Sequence, residues 1–286
     1  MAPALALAPE PSSSWRAWLA LDFVRAGERT EMRRRGQHGP LAIQRPFYPE
    51  GPGVCHVVIL HPPAGLVPGD SLSLEVDVRA GAHALITTPA ATKVYRSDGR
   101  IARQTQTLRA ADRAMVEWLP HESILFEGAR AQMQTRVELC GGASFIGWDV
   151  LCLGRRAAGE HVFGGECRQH IELWRDGHPL LVERSQLDGE TQAAPWGLRQ
   201  GSVLATVLAW TPALDDESTS DLLAQLRATC LGEGELSSAT VVSGVLVCRY
   251  LGNDATRARI LIESAWRILR PRLAGRAACP PRIWST

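Results

Sequence analysis

The chain has 286 residues, and its 31 basic and 30 acidic side chains leave a formal net charge of +1. That length suits one or two domains, and 45% hydrophobic with 21% charged residues is an ordinary globular balance that excludes wholesale disorder. The near-neutral total removes the electrostatic case for a nucleic-acid or anionic-membrane binder, and no apolar run reaches the ~20 residues of a membrane-spanning helix.

Residues 1–13 carry Pro3, Pro9 and Pro11 and no basic n-region, so they read as a disordered lead rather than a signal peptide. Residues 14–286 then read as a single domain. Short β-rich segments separated by Gly, Pro and Asp turns follow one another. They run through Trp15–Arg25, Leu41–Phe47, Cys55–His61, Ser71–Val78 and Ala82–Thr87, then Ile101–Leu108, Ala114–Leu119, Met133–Leu139 and Ser144–Leu153. Cys167–Trp174 and Pro179–Gln186 flank Asp176-Gly177, a two-residue hairpin signal. Asp188–Gly201 reads as a mobile loop, and Val203–Trp210 and Val241–Tyr250 are the late strands.

Leu72, Leu74, Val76 and Val78 alternate with polar neighbours, as a strand with one buried face requires. Arg100–Arg109 is instead polar on both faces, which suits a wide sheet surface better than a compact barrel. Helical spacing occurs only late, over Asp216–Leu231 and over Asn253–Arg270, where Pro271 is the expected stop. The fold class is therefore mainly β, one large winding of many short strands with two helices near the C-terminus.

Seven scattered cysteines form no C-x-x-C pair, which fits buried free thiols in a reducing cytoplasm better than a zinc site or disulfides. His56 and His61 fall on opposite strand faces, and no Ser-His-Asp, Cys-His or dinucleotide layout is legible. Three features could carry chemistry. The turn His61–Asp70 delivers Asp70 on stiff backbone, either as a cap for N–H groups or as a functional carboxylate. The stretch Leu85–Ser97 gathers Thr87, Thr88 and Thr92 before Lys93, the only lysine, then Tyr95 and Arg96. Acids stand beside apolar strand residues at Glu117, Glu127, Asp149, Glu160 and Glu183, and each needs a partner, a cation or a proton if it is buried.

Pro62-Pro-x-Gly65-x-Val-x-Gly69-Asp70, Leu85–Ser97, Glu117-Trp-Leu-Pro120, Trp148-Asp149, Gly154-Arg155, Gly159-Glu160, Leu180–Arg184 and Pro281-Arg-Ile-Trp284 occur in one order. That ordered set resembles the urease accessory protein UreD (UreH) family over residues 15–286. The resemblance implies a helix-like winding of strands with two helices. It also implies a non-enzymatic scaffold that joins UreF and the GTPase UreG on apo-urease and passes Ni²⁺ through an internal tunnel. No cofactor is implied as permanently bound; Ni²⁺ is transient cargo. By match to the family motifs, Asp70, Asp149 and Glu183 lead as tunnel residues, with Glu117, Glu160, Thr88 and Thr92 next, and Lys93, Tyr95 and Arg96 as further motif polar groups. Dispersed carboxylates and hydroxyls suit a cation that must be attracted without being trapped. Leu222, Leu226, Ile260, Leu261 and Ile268 are candidate partner contacts, although packing on their own sheet competes with that role. The competing classes are a glycan-active enzyme with paired carboxylates and an autonomous nickel store.

Overall fold

The computed structural model describes residues 14–230 and 236–285; the expected lead over residues 1–13 lies outside them. The first half of the chain runs through β1 (Arg16–Ala26), β2 (Arg29–His38), β3 (Ala42–Ile43), β4 (Val54–Leu60), β5 (Gly65–Leu66), β6 (Ser71–Val78), β7 (His83–Thr87), β8 (Thr92–Val94) and β9 (Ala102–Ala110). It continues with β10 (Met115–Leu119), β11 (Ser123–Leu125), β12 (Arg130–Leu139), β13 (Ser144–Leu153), β14 (Glu166–Arg175) and β15 (His178–Asp188). The last part comprises α1 (Gly189–Ala193), β16 (Val203–Trp210), α2 (Asp216–Ala228), β17 (Leu236–Val242), β18 (Val245–Gly252) and α3 (Ala255–Ala274).

Parallel pairing of strands distant in sequence turns this order into a solenoid of about four stacked coils. Val54 pairs with His83, His83 with Met115, and Met115 with Ser144, all in parallel. The facing sheet repeats the pattern through Ser71 with Arg103, Ala102 with Ala131, and Arg130 with Glu166. Each coil therefore advances the chain by about thirty residues without any visible sequence repeat, because backbone ladders need only a common length and an inward alternation of side chains. Short β5, β8 and β11 form a third ladder that rounds the corner between the sheets.

The first sheet has the strand order β15-β14-β12-β9-β6-β1-β2, and the second β17-β18-β16-β13-β10-β7-β4-β3. One apolar core lies between them, built from inward residues such as Leu19, Val57, Leu108, Val137 and Leu173. A second core lies on the outer face of the β4–β18 sheet, where Leu85, Leu119 and Ile146 meet Leu222, Leu226, Leu261 and Trp266 of the helices. This layering corrects the reading of Leu222, Leu226 and Leu261 as partner contacts, since all three are buried against the chain's own sheet. Ile268 packs partly there too, and only Ile260 stands exposed.

Three local expectations also change, and one strand is new. Asp188–Gly201 contains helix α1, capped by the Asp188 carboxylate and pinned where buried Gln192 accepts from Phe163 N–H at 2.8 Å. Val241–Tyr250 crosses a hairpin, with Ser243 and Gly244 at positive φ forming the turn between β17 and β18. Helix α3 continues through Pro271 to Ala274, where Gly275 at φ 64° ends it. The proline removes only one late hydrogen bond, to the carbonyl of Arg267, a solvent-exposed residue, while buried Leu269 and Leu273 anchor the helix on either side. Strand β2, rich in arginine and half exposed, carries no apolar alternation and was not legible as a strand. The Asp176-Gly177 hairpin forms as expected, both residues at positive φ.

Candidate functional site

The core between the sheets is apolar except along one file. Its first part is a cavity of about 160 Å³ whose lining includes His61, Thr88, Thr92, Gln104, Gln106 and Trp118. The two amides come from β9, whose polarity on both faces now has a reason. β9 is the central strand of its sheet, and its inward row places Gln104 and Gln106 between Ala102 and Leu108. Thr135 of the next strand donates to Gln106 Oε1 at 3.1 Å, while Gln104 Oε1 is buried with no hydrogen-bond partner. An orphaned carbonyl oxygen inside a core is costly unless water or a cation meets it.

Trp118 forms a wall shared with a second, smaller cavity of about 20 Å³, lined also by Thr135, Gly147, Asp149 and Thr206. Gly147 is required here, since a Cβ would lie 2.4 Å from the Phe145 ring. Asp149 points inward from β13 in register with Thr206. Burial pushes its carboxyl up to about 6, and only a hydrogen bond from Gln169 opposes that shift. No cation among the described residues compensates it. The same register continues from Thr206 to Arg249 of β18, whose guanidinium pairs with Glu183 of β15. In the facing sheet Gln106 aligns with Thr135, Thr135 with Ile171, and Ile171 with Glu183. Amides, hydroxyls and one free acid, interrupted in the facing sheet by Ile171, thus lie between the His61 end and the Glu183 end.

The other acids singled out in the sequence stand off this file. Asp70 is buried and caps backbone, Oδ1 accepting from Trp15 N–H at 2.7 Å and Oδ2 from Val67 N–H at 2.9 Å. Burial lowers the His61 pKa, and the nearby Asp70 charge works against that, so Asp70 borders the first cavity without lining it. Removing both caps with Asp70→Ala is expected to cost about 1–3 kcal/mol, read as an earlier urea midpoint with an unchanged m-value.

Glu160 clamps its own loop, accepting from Arg155 N–H and from the Arg155 guanidinium, and from Glu127 N–H. That loop stacks Arg155 over Phe126 at 4.0 Å, and Phe126 meets Tyr95 edge-on at 5.1 Å. Arg96 pairs with Glu127 beside it, and Lys93 sits half-buried on β8. Thr88 accepts from His121 N–H at 2.8 Å while lining the first cavity.

Glu117 points the opposite way from its neighbour Trp118, into the layer beneath α3. It accepts from His83 Nε2 at 2.7 Å, Trp266 Nε1 at 2.7 Å and Arg270 Nε at 3.0 Å. Arg270 reaches on to Glu50 with both terminal nitrogens at 2.7 Å, and Glu50 holds His56 Nε2 at 2.6 Å. Burial opposes ionisation of both acids, yet His83, Arg270 and Trp266 hold Glu117 below the usual range. Glu50 falls to about 2 against His56 and Arg270. All the acceptor capacity of Glu117 is spent inside this network. The closing motif serves the same layer, Trp284 Nε1 donating to Thr87 Oγ1 at 2.9 Å beside Trp148 and Trp266.

Sequence reasoning missed Gln104, Gln106, Thr135, Gln169, Thr206 and Arg249, as well as the Glu50–Arg270 network. For the glutamines the signal was present in the two-faced polarity of Arg100–Arg109; for Arg249 and Arg270 it was not. Among the described residues no three His, Cys, Asp or Glu side chains come together to hold a metal ion. All seven cysteines are free, and burial pushes Cys152, Cys167 and Cys248 up to about 12, which leaves them inert as thiols. No helix of the described residues is long and apolar enough to cross a membrane.

The model for the UreD urease accessory protein family matches residues 16–285 of the chain. A urease accessory protein UreD of Dechloromonas aromatica is 42% identical over 280 residues, covering 97% of each chain. One of Azoarcus sp. is 43% identical over 274 residues, covering 95% of this chain and 94% of the relative. One of Alkalilimnicola ehrlichii is 44% identical over 288 residues, covering 99% and 96%.

Proposed function

The chain belongs to the UreD family of urease accessory proteins and so serves urease maturation; we propose that it does so as a non-catalytic scaffold and conduit for Ni²⁺. In this reading it assembles with UreF and the GTPase UreG on the apo-urease subunits in the cytoplasm. Ni²⁺ is cargo and no cofactor stays bound. The observation that carries the reading is Asp149, a largely enclosed carboxylate without a compensating cation among the described residues, on the wall of the second of two adjacent cavities inside a mostly apolar core.

The chemistry suits transit. A hydrated divalent cation needs oxygen ligands, and those on the file are an unpaired Gln104 carbonyl, the hydroxyls of Thr88, Thr92, Thr135 and Thr206, and one acid. Such donors bind Ni²⁺ weakly and one at a time, whereas a His or Cys cage would hold it. Burial raises the electrostatic value of the single charge, so one carboxylate is enough to favour entry. Thr88, Thr92, Asp149 and Glu183 are the residues we assign to the route. Asp70 shapes its His61 end, while Glu117 and Glu160 serve the scaffold. The glycan-enzyme alternative asks for two carboxylates facing one open groove. The cavities on this file present one, Asp149, enclosed between two sheets.

The test is reconstitution of apo-urease with UreF and UreG, with and without this chain, at limiting Ni²⁺ and with bicarbonate. Co-purification of the four components and activation that depends on this chain are expected. Equal activation in its absence overturns the proposal.

A further inference from the structure

The file ends where a cation route would not be expected to end, on an arginine. Inward positions of β18 are otherwise apolar, Val245, Val247 and Leu251, and Arg249 interrupts them two strand spacings from Asp149, about 10 Å across the sheet. Its partner Glu183 is the inward residue of the opposing edge strand β15, between buried Leu181 and Leu187. The pair therefore bridges the two sheets across the open end of the solenoid, with Arg249 about half exposed and Glu183 a quarter exposed.

Stability does not explain it. Desolvation works against the Arg249 charge, and a half-exposed ion pair returns little, so an apolar pair would close this end of the core at least as well. Its position explains it better. A guanidinium nitrogen on Glu183 Oε1 occupies an oxygen a divalent cation would use, and its charge repels a cation arriving from Asp149. We propose that Arg249 is the gate of this file: while paired it keeps Glu183 from holding a divalent cation, and when the pair opens Glu183 becomes the last cation site. The gate rests on the conduit reading, because only a file that carries cations needs one.

Calorimetric titration of the full-length chain with Ni²⁺ alone tests the gate. Arg249→Gln is expected to bind about tenfold more tightly than wild type, and R249Q/E183Q is expected to lose that gain. R249Q binding no tighter than wild type, or a gain that survives in the double variant, overturns the gate. Should R249Q fail to fold, R249K, whose ammonium is a point charge without the planar fork, is expected to gain about threefold; unchanged affinity there overturns the gate as well. The conduit fails by a different readout. Normal urease activation by D149N at limiting Ni²⁺ removes the conduit whatever the titration gives. An absent R249Q gain with D149N impaired removes only the gate.

Discussion

Replacing Arg270 with methionine is expected to lower the unfolding free energy by about 3–5 kcal/mol, the cost of breaking a buried ion network by removing its shared cation. Arg270 is completely buried and, among the described residues, is the one side chain with an ion pair to both Glu50 and Glu117. It also donates to the Ala277 carbonyl, which ties the segment after α3 to the same point. Without it two buried carboxylates face each other with only His56, His83 and Trp266 as donors. The double variant R270M/E117Q is expected to recover part of the loss, since it removes one stranded charge.

The pH dependence carries the sign of the network. Glu50 titrates at about 2 in the fold against an ordinary 4.5, and Glu117 is also held low. A depressed carboxyl contributes stability above its unfolded pKa and loses it as pH falls through the folded one, here from about 4.5 towards 2. Urea unfolding from pH 3 to 8 should therefore find the R270M deficit largest near neutrality and narrowing in acid. A deficit below about 1 kcal/mol at pH 7 would mean the network is inert. The consequence extends to the file, because Glu117 and Trp118 are adjacent on β10. The network that seats one fixes the strand that presents the other to both cavities.

How far the sequence could be read follows from which interactions are local. Strands with alternating faces, such as Ser71–Val78, and the Asp176-Gly177 turn were legible because their signals lie within a few residues. The solenoid was not, since its coils are related by ladder geometry, and residues about thirty apart share no recurring motif to reveal it. Pro271 misled as a helix stop because tertiary anchoring by Leu269 and Leu273 outweighs one missing hydrogen bond. Among the acids the sequence named the right kind of residue and could not rank its members. Glu117 meets partners as far along the chain as Arg270, Asp70 meets Trp15, and Asp149 meets no cation among the described residues. Whether a buried carboxylate is spent or free depends on contacts that the order of residues does not display.

That distinction gives Asp149 an unusual signature, a substitution that strengthens the fold while weakening the function. A carboxyl moved from 3.8 to about 6 by burial makes the folded state pay at neutral pH, by up to about 3 kcal/mol. A raised acid binds its proton more tightly in the folded state, so stability is greatest below pH 3.8 and falls as pH rises through 6. Asp149→Asn keeps the shape and the contact with Gln169 and removes that penalty. Its melting temperature is expected to exceed wild type at pH 7.5 and to match it near pH 4. In reconstituted activation at limiting Ni²⁺, the same variant is expected to slow urease activation by about tenfold with UreF and UreG still co-purifying, as loss of the one free charge on the route demands. Wild-type activation should itself climb between pH 5.5 and 7 as the carboxylate ionises, and the D149N rate should stay flat over that range. Higher stability with normal activation would make Asp149 a buried liability without a role. Lower stability together with lower activation would mean that its charge serves the fold, and the route would have to run elsewhere.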